Sequence, residues 1–205
     1  MEDVASVSVG GDHTCSMKQD NSPLCWGNNL WGQIGDGTNI QRESPYPVKI
    51  SYIVISVSSG YEHTCALMSD RSLWCWGSNS EGQLGASSTS YCSGGSYCKN
   101  PTKIMDDVVQ FSAGAYHTCA IKTDGSLWCW GYNYYGQLGD GTNTDRDTPV
   151  QIMSSGVSSV ALGNSHTCAI KTDGFLWCWG YNNYGQLGDG TSVQKSTPHP
   201  VITPA

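Results

Sequence analysis

Polar and apolar residues alternate along short stretches of the chain, and turn residues separate these stretches. A two-residue period bounded by Gly, Asp, Asn and Pro is typical of β-strands joined by tight turns. No window shows a convincing 3.6-residue period, so the pattern predicts an all-β protein. In the clearest segment the predicted strands are Val108–Ser112, His117–Lys122, Ser126–Gly131 and Pro149–Met153.

This pattern occurs four times along the chain. Each copy contains His-Thr-Cys, then Cys-Trp-Gly, an Asn two residues later, Gly-Gln-Ile/Leu-Gly, and a closing segment with proline. The four copies of His-Thr-Cys begin at His13, His63, His117 and His166. Four-stranded units repeated every 40–50 or so residues are typical of propeller blades. We predict one repeat domain over residues 1–205, with blades at about 4–50, 54–105, 108–153 and 157–203.

The stretch HTCAIKTDGSLWCWGYNYYGQLGDGT, which begins at His117, resembles the repeat of the RCC1-like propellers, named for the regulator of chromosome condensation. The resemblance covers essentially the whole chain in four copies. It implies a β-propeller, usually of about seven blades, of which four units would form roughly half. It implies no single function, because members include nucleotide-exchange factors, light sensors, inhibitors of secreted enzymes and uncharacterised bacterial proteins.

Charge and composition exclude several classes of partner. The formal net charge is -7, from 10 basic and 17 acidic residues, and no Lys/Arg cluster occurs. A nucleic-acid or anionic-membrane partner is therefore not expected. No apolar stretch approaches the ~20 residues of a spanning helix, and the N-terminal MEDVASVSVGG lacks the features of a secretory signal.

The spacing of the cysteines predicts their register. With a three-residue hairpin loop at 123–125, counting outward places Ile121 opposite Leu127 and Cys119 opposite Cys129. In the second unit the last turn position holds Arg71, which suits a left-handed conformation poorly compared with the glycines of later units.

Directly opposed cysteines predict cross-strand disulfides. The expected pairs are Cys15–Cys25, Cys65–Cys75, Cys119–Cys129 and Cys168–Cys178, with Cys92–Cys98 in the insert of the second unit. Metal binding is the alternative, but His-x-Cys…Cys supplies at most about three ligands per unit at a spacing unlike that of zinc motifs. We expect no metal and no cofactor. Ten cysteines with local partners indicate an oxidising compartment, so we expect an extracellular or cell-surface protein.

The same register predicts both faces of each blade. Trp128 lies opposite Ala120 and Trp130 lies opposite Thr118, while Leu127 lies on the other face with the disulfide. Both faces are then apolar, as a blade between two others requires. Each histidine is expected to be a buried, hydrogen-bonded wedge near the central channel, because no Ser or Asp partner recurs in a triad arrangement.

Two loops offer candidate binding residues. GYNYYGQLG and GYNNYGQLG mix aromatic and amide side chains, which suits protein or sugar recognition. Packing between blades beneath the loops is the alternative. The candidate partner-binding residues are Tyr132, Tyr134, Tyr135, Tyr181 and Tyr184.

The acidic loop GDGTNTDRD, with Asp140, Asn143, Asp145 and Asp147, could supply oxygen ligands to calcium. It lacks the Asp-x-Asp-x-Asp-Gly pattern and a distal Glu, so Asx-turns are favoured.

Functional expectations follow from the ends of the array. No catalytic residue is predicted, and we do not expect an enzyme. The first and last units keep apolar faces where terminal repeats normally carry polar ones, so we expect a homo-oligomer or polymer, by ring closure or filament formation, or a piece of a longer propeller. A closed four-bladed monomer would demand much wider blades.

The expected function is an extracellular, non-enzymatic scaffold that self-associates and displays loops. The alternative is a binding module for a protein or glycan, including an inhibitor of a secreted enzyme.

Overall fold

A computed structural model describes residues 2–86, 92 and 96–202. Residue 203, the predicted end of the fourth blade, and most of the loop beginning GASSTS lie outside these residues. The described residues form sixteen strands, and no helix among them is long and apolar enough to cross a membrane. The strands are β1 (Val4–Val9), β2 (His13–Lys18), β3 (Pro23–Gly27), β4 (Arg42–Pro47), β5 (Val54–Ser59), β6 (His63–Met68), β7 (Leu73–Ser78), β8 (Tyr97–Met105), β9 (Val108–Ala113), β10 (His117–Lys122), β11 (Leu127–Gly131), β12 (Arg146–Met153), β13 (Val157–Leu162), β14 (His166–Lys171), β15 (Leu176–Gly180) and β16 (Lys195–Pro200).

The strands form four antiparallel sheets. Each sheet contains four consecutive strands in chain order, so the first is β1-β2-β3-β4 and the last is β13-β14-β15-β16. Each sheet packs against the next one along the chain, and the sheets form an open arc. The first strands of successive sheets lie side by side at the inner edge of the arc. The predicted all-β, RCC1-like blade architecture is confirmed.

The third blade follows the predicted strands closely: β9 ends one residue later than predicted and β11 begins one residue later, and the larger difference is in β12. This last strand begins at Arg146, before the predicted Pro149. The reason is a register shift: Gly131 pairs with Arg146 while Cys129 pairs with Val150, so the intervening residues bulge out of the ladder.

The predicted hairpin register is confirmed in every blade. In the third blade Cys119 pairs with Cys129 and Ile121 pairs with Leu127. Gly125 has φ 77° at the turn, and Arg71 has φ 66° at the equivalent position. Since a side chain in the left-handed region is sterically disfavoured, Arg71 holds a strained conformation that glycine adopts freely.

The core consists of alternating blade faces. In each of the first three blades, the face with the disulfide packs against the tryptophan face of the next blade. Between the third and fourth blades, Ile121 and Leu127 pack with Val157, Val160 and Trp179. An internal blade is therefore apolar on both faces, since each face packs against a neighbouring blade.

The outermost strand of each sheet carries proline. Proline has no N–H and is confined in sheets to edge strands and bulges. β4, β8, β12 and β16 each have only one neighbouring strand, which accommodates it. The prolines at corresponding places are Pro45, Pro101, Pro149 and Pro198.

Candidate interaction surfaces

A repeated set of hydrogen bonds joins each blade to the next. At the junction of the third and fourth blades, His117 Nε2 lies 2.9 Å from Thr167 Oγ1. Thr167 Oγ1 donates to the backbone carbonyl of Gln137 at 2.8 Å. Because the threonine proton is used on the carbonyl, the hydroxyl accepts from His117, and the imidazole is the Nε2–H tautomer.

The two earlier junctions repeat this arrangement. The His–Thr distances are 2.8 Å for His13–Thr64 and 2.9 Å for His63–Thr118. The same Gln carbonyl also accepts from the indole of the following blade: Trp76 Nε1 donates to Gln33 and Trp130 Nε1 donates to Gln83, each at 3.0 Å. We call this combination of His, Gln carbonyl, Thr and Trp the junction set. Between the third and fourth blades the set has no indole bond, because Trp179 Nε1 has no hydrogen-bond partner among the described residues.

The histidines of the first three blades are buried and neutral. Burial lowers the pKa of His13 to about 4 and that of His63 and His117 to about 3. A glycine three residues earlier makes room for each ring, since a Cβ on Gly114 would lie 2.6 Å from His117 Cε1. His166, in the last blade, is only half-buried.

The disulfide face of the fourth blade is exposed. Ile170 and Leu176 are 42% and 41% exposed, whereas their third-blade counterparts Ile121 and Leu127 are buried. Phe175 replaces the buried Ser126 and is 66% exposed. We call this surface, formed by Ile170, Phe175 and Leu176 beside His166 and Gln186, the blade-4 end face.

The tryptophan face of the first blade is exposed in the same way. Val7 and Val9 are 65% and 70% exposed, whereas Val160, the counterpart of Val7, is buried. Thr14 and Trp26 are half-buried, although their counterparts in the other blades are buried. We call this surface, formed by Val4, Val7, Val9, Thr14 and Trp26, the blade-1 end face. The two end faces are therefore the two halves of an internal blade junction.

Seven tyrosines form a continuous row of ring contacts across the second, third and fourth blades. Tyr135 contacts Tyr181 across a blade boundary, with ring centroids 4.8 Å apart, and Tyr116 contacts Tyr61 at 5.5 Å. Tyr134 and Tyr184 are 63% and 88% exposed, and the rings between them are half-buried. We call Tyr61, Tyr116, Tyr132, Tyr134, Tyr135, Tyr181 and Tyr184 the tyrosine row.

A buried asparagine holds each tyrosine-bearing loop in place. Asn133 Nδ2 donates to the backbone carbonyls of Thr142 and Thr144, and its Oδ1 accepts from Leu138 N at 3.0 Å. Asn182 bonds the fourth-blade loop in the same way. The tyrosines of these two loops thus stand on backbone held by buried hydrogen bonds, which lowers the entropy cost of a contact there.

Acidic side chains flank the tyrosine row. Burial raises the pKa of Tyr116, and the nearby charge of Glu62 adds to the rise. Burial likewise raises the pKa of Tyr132, with a further contribution from Asp145. A groove beside Tyr132 is lined by Glu81, Asp145 and Asp147 among its residues.

The acidic loop forms an Asx-turn, as favoured from the sequence. Asp140 Oδ1 accepts from Thr142 N at 3.0 Å, and Arg146 Nε donates to Asp140 Oδ2 at 2.8 Å. Burial alone would raise the pKa of Asp140, but these hydrogen bonds hold it below its ordinary value. Its oxygens are thus already occupied by protein donors. Asn143 bonds the carbonyl of Tyr134 at 2.7 Å and so braces the tyrosine-bearing loop.

The structure places the predicted cysteines in five disulfides, and every cysteine is bonded. The four hairpin pairs have Cα atoms 4.1 Å apart. All five predicted tyrosines lie in the tyrosine row. Tyr135 and Tyr181 pack across a blade boundary, and partner binding by the five stays a prediction. Tyr61 and Tyr116 were not predicted as members of the row; they lie just before His-Thr-Cys, where the first and fourth blades have Gly and Asp or Asn and Ser.

Comparison with known proteins assigns the family. The whole chain, residues 1–205, matches the RCC1-like domain, and the protein belongs to the RCC1-like family. Over 172 residues it is 32% identical to the ultraviolet-B receptor UVR8 of Arabidopsis thaliana, covering 78% of this chain and 37% of the receptor. Over 48 residues it is 42% identical to the probable E3 ubiquitin-protein ligase HERC4 of Homo sapiens, covering 23% of this chain and 4% of that protein.

Solved structures share the fold. Human WBSCR16 is 25% identical, with a TM-score of 0.86, over 98% of this chain and 53% of that one. Prp20p of Saccharomyces cerevisiae is 23% identical, with a TM-score of 0.84, over 98% of this chain and 50% of that one. The chain therefore spans about half the length of these propellers. Since the repeat occurs in a light receptor and in a ubiquitin ligase, the fold alone defines no activity.

Proposed function

We propose that the protein is a non-enzymatic, extracellular scaffold whose chains associate end face to end face and display the tyrosine row to a protein partner. The main support for the proposal is that the two ends of the arc expose the two halves of a junction between blades. The blade-4 end face has the His and the Gln carbonyl of a junction set, in His166 and Gln186. The blade-1 end face has the Thr and the Trp, in Thr14 and Trp26.

A second copy of the chain is the occupant we propose for each end face. Placing its first blade on the fourth blade of its neighbour would pair His166 with Thr14 and bring Trp26 to the Gln186 carbonyl. It would also cover Ile170, Phe175 and Leu176 with Val7 and Val9, and burying apolar area in this way contributes about 25 cal/mol per Å². Such a contact is heterologous, so it either closes a ring or propagates.

The disulfides support the extracellular part of the proposal. All ten cysteines are paired, and four of the five pairs join hairpin strands within a blade. Disulfides of this kind persist in oxidising compartments and are rare in the reducing cytosol.

The recurring histidines support a non-enzymatic role. Those of the first three blades are neutral, buried and committed through Nε2 to a structural hydrogen bond. None of these three has an Nε2 free to act as a base.

Light scattering coupled to size-exclusion chromatography tests association. We expect the wild-type protein to have at least twice the mass of one chain, and Ile170→Glu on the blade-4 end face to yield single chains. Val109→Glu is the matched control, because Val109 is 50% exposed on an internal blade and lies away from both end faces. A wild-type protein that stays a single chain at high concentration would refute self-association.

A binding module without self-association is the second candidate, and the tyrosine row favours it. Yeast Prp20, which shares the fold, has been solved with Kap60 bound to it. Tyr, Trp and Arg dominate the energetics of many interfaces. A single-chain protein whose partner is lost on changing the tyrosine row would support this candidate over the scaffold.

A further inference from the structure

We infer that the tyrosine row binds an extended, lysine- or arginine-bearing segment of a partner protein. This inference rests on the proposed display of the row, and it names the chemistry of the partner.

The ring geometry leaves aromatic faces available to a cation. Tyr134 and Tyr135 meet at 87° and Tyr181 and Tyr184 meet at 71°, so the rings of these two pairs contact edge to face. Tyr132 and Tyr134 are instead stacked, at 9° with ring centroids 6.3 Å apart. In an edge-to-face pair the negative π face of one ring is not fully stacked against its neighbour. Because Tyr184 is 88% exposed and Tyr134 is 63% exposed, an ammonium or guanidinium group can reach these rings and be attracted by their quadrupoles.

The charges around the row favour a cation over a neutral sugar or an acidic segment. Glu62 and Glu81 lie near Tyr116, and Asp145 lies near Tyr132. Among the described residues, no ion pair involves these three carboxylates. The row is therefore edged by carboxylates that no lysine or arginine neutralises in an ion pair.

Two basic residues on the outer strands of the third and fourth blades, which carry most of the row, are already paired. Arg146 lies 2.7 Å from Asp140, and Lys195 lies 3.6 Å from Asp189. Neither is free to neutralise the carboxylates beside the row. The groove is lined by Glu81, Asp145 and Asp147. It meets the row at Asp145, whose Oδ1 accepts at 2.6 Å from the backbone N–H of Asn133, the residue between Tyr132 and Tyr134. A bound segment can therefore place one cation over a ring and the next between carboxylates.

The length of the row indicates that it binds a segment of several residues and not a single side chain of the partner. Its contacts pass from Tyr61 on the second blade through Tyr116 and Tyr135 to Tyr181 on the fourth. Several cations spaced along an extended strand would each meet a ring or a carboxylate. Arginine should bind more tightly than lysine, because guanidinium stacks on aromatic rings and is more weakly hydrated.

Fluorescence anisotropy with three labelled peptides of equal length tests the inference. The peptides alternate glycine with arginine, with glutamate or with serine. We expect the arginine peptide to bind, with an affinity that falls steeply as salt is raised, and the other two peptides to show no binding. Equal binding of the serine peptide would refute a cationic partner.

Variants test whether the arginine peptide binds the tyrosine row itself or is attracted only by the overall negative charge of the protein. Tyr134→Asn combined with Tyr184→Ser keeps the charge unchanged and should weaken the arginine peptide about tenfold or more. Asn is the residue that the fourth blade has at the position of Tyr134, so the fold should tolerate it. Glu62→Gln combined with Glu81→Gln should also weaken binding, whereas Glu43→Gln on the exposed outer strand β4 should not.

The outcomes distinguish this inference from the proposed function. Unchanged peptide binding by the tyrosine variant would overturn the inference. Capture by the row of a partner segment without basic residues would also overturn it, while leaving the display of the row intact. The oligomeric state is measured separately and does not depend on either result.

Discussion

The imidazole of His117 and the hydroxyl of Thr167, 2.9 Å apart, join two blades whose strands share no ladder hydrogen bonds. The hydroxyl also donates to Gln137, so one buried threonine satisfies groups on two segments of the preceding blade. The contact repeats at each internal junction and ends at Thr14 and His166. A junction is therefore specified by polar pairing as well as by apolar packing.

Thr167→Val should lower the free energy of unfolding by about 1–3 kcal/mol, because it leaves a buried imidazole donor and a buried carbonyl without their partner. Denaturant unfolding in an Ile170→Glu background would measure the loss without interference from association. Thr14→Val is the matched control, since Thr14 is half-buried and on an end face, and its cost should be well below 1 kcal/mol. Equal losses for the two variants would contradict this role of the junction set.

Stability should fall as the pH is lowered from about 6.5. The buried histidines have folded-state pKa values of about 3 to 4, below the ordinary value of about 6.5 in an unfolded chain. Between these values the unfolded chain binds more protons, so each buried histidine removes up to about 1.4 kcal/mol of stability per pH unit. Urea unfolding between about pH 7 and pH 5 measures this slope in a range above the ordinary carboxylate pKa values.

The variant His117→Gln isolates one of these contributions. It should be less stable than the wild type at pH 7. Its free energy of unfolding should nevertheless fall less steeply with decreasing pH, by up to about 1.4 kcal/mol per pH unit, because one histidine fewer takes up a proton on unfolding. A slope identical to that of the wild type would show that His117 already titrates normally in the folded state.

Arg71→Gly should stabilise the protein. Arg71 has φ 66°, and a side chain in this region costs roughly 1–2 kcal/mol, whereas glycine adds roughly 0.5–1 kcal/mol of unfolded-state entropy. We expect a net gain of several tenths to about 1 kcal/mol in thermal or denaturant unfolding. Gly125→Arg, at the equivalent turn of the third blade, should produce the opposite change, and a loss for Arg71→Gly would contradict the strain at this turn.

Removing a hairpin disulfide should cost about 2–3 kcal/mol on the chain-entropy account. The double variant Cys119→Ala/Cys129→Ala also loses buried packing at an internal junction. Cys168→Ala/Cys178→Ala is the comparison, because Cys168 is half-buried at the blade-4 end face, and it should cost less. Intact-mass measurement with a thiol-reactive reagent checks the premise, and labelling of the unreduced protein would contradict the five disulfides.

The local structure of the blades was predictable because it depends on short-range sequence. Thr123-Asp124-Gly125 determines the turn, and the turn determines that Cys119 faces Cys129. The start of β12 was placed too late, since the bulge opposite Trp130 leaves no periodic signal.

Relationships between blades were less predictable. The partner of His117 lies 50 residues away and depends on which faces meet, so sequence periodicity indicated a buried histidine without identifying Thr167. Tyr61 and Tyr116 were missed for the same reason, because their part in the tyrosine row arises from the curvature of the arc. The carboxylates of Glu81 and Asp145 are likewise distant in sequence and converge only in the fold.

Proline on every outermost strand restricts the direction in which the protein can grow. A strand edge with missing amide donors is a poor template for adding another strand, so contact along the rim of the arc is disfavoured. Under the proposed self-association, contact between chains is then confined to the two end faces. The proposed end-face association would then give a closed ring or a one-dimensional array of fixed polarity, whose rim resists the edge-to-edge strand pairing that leads to amyloid.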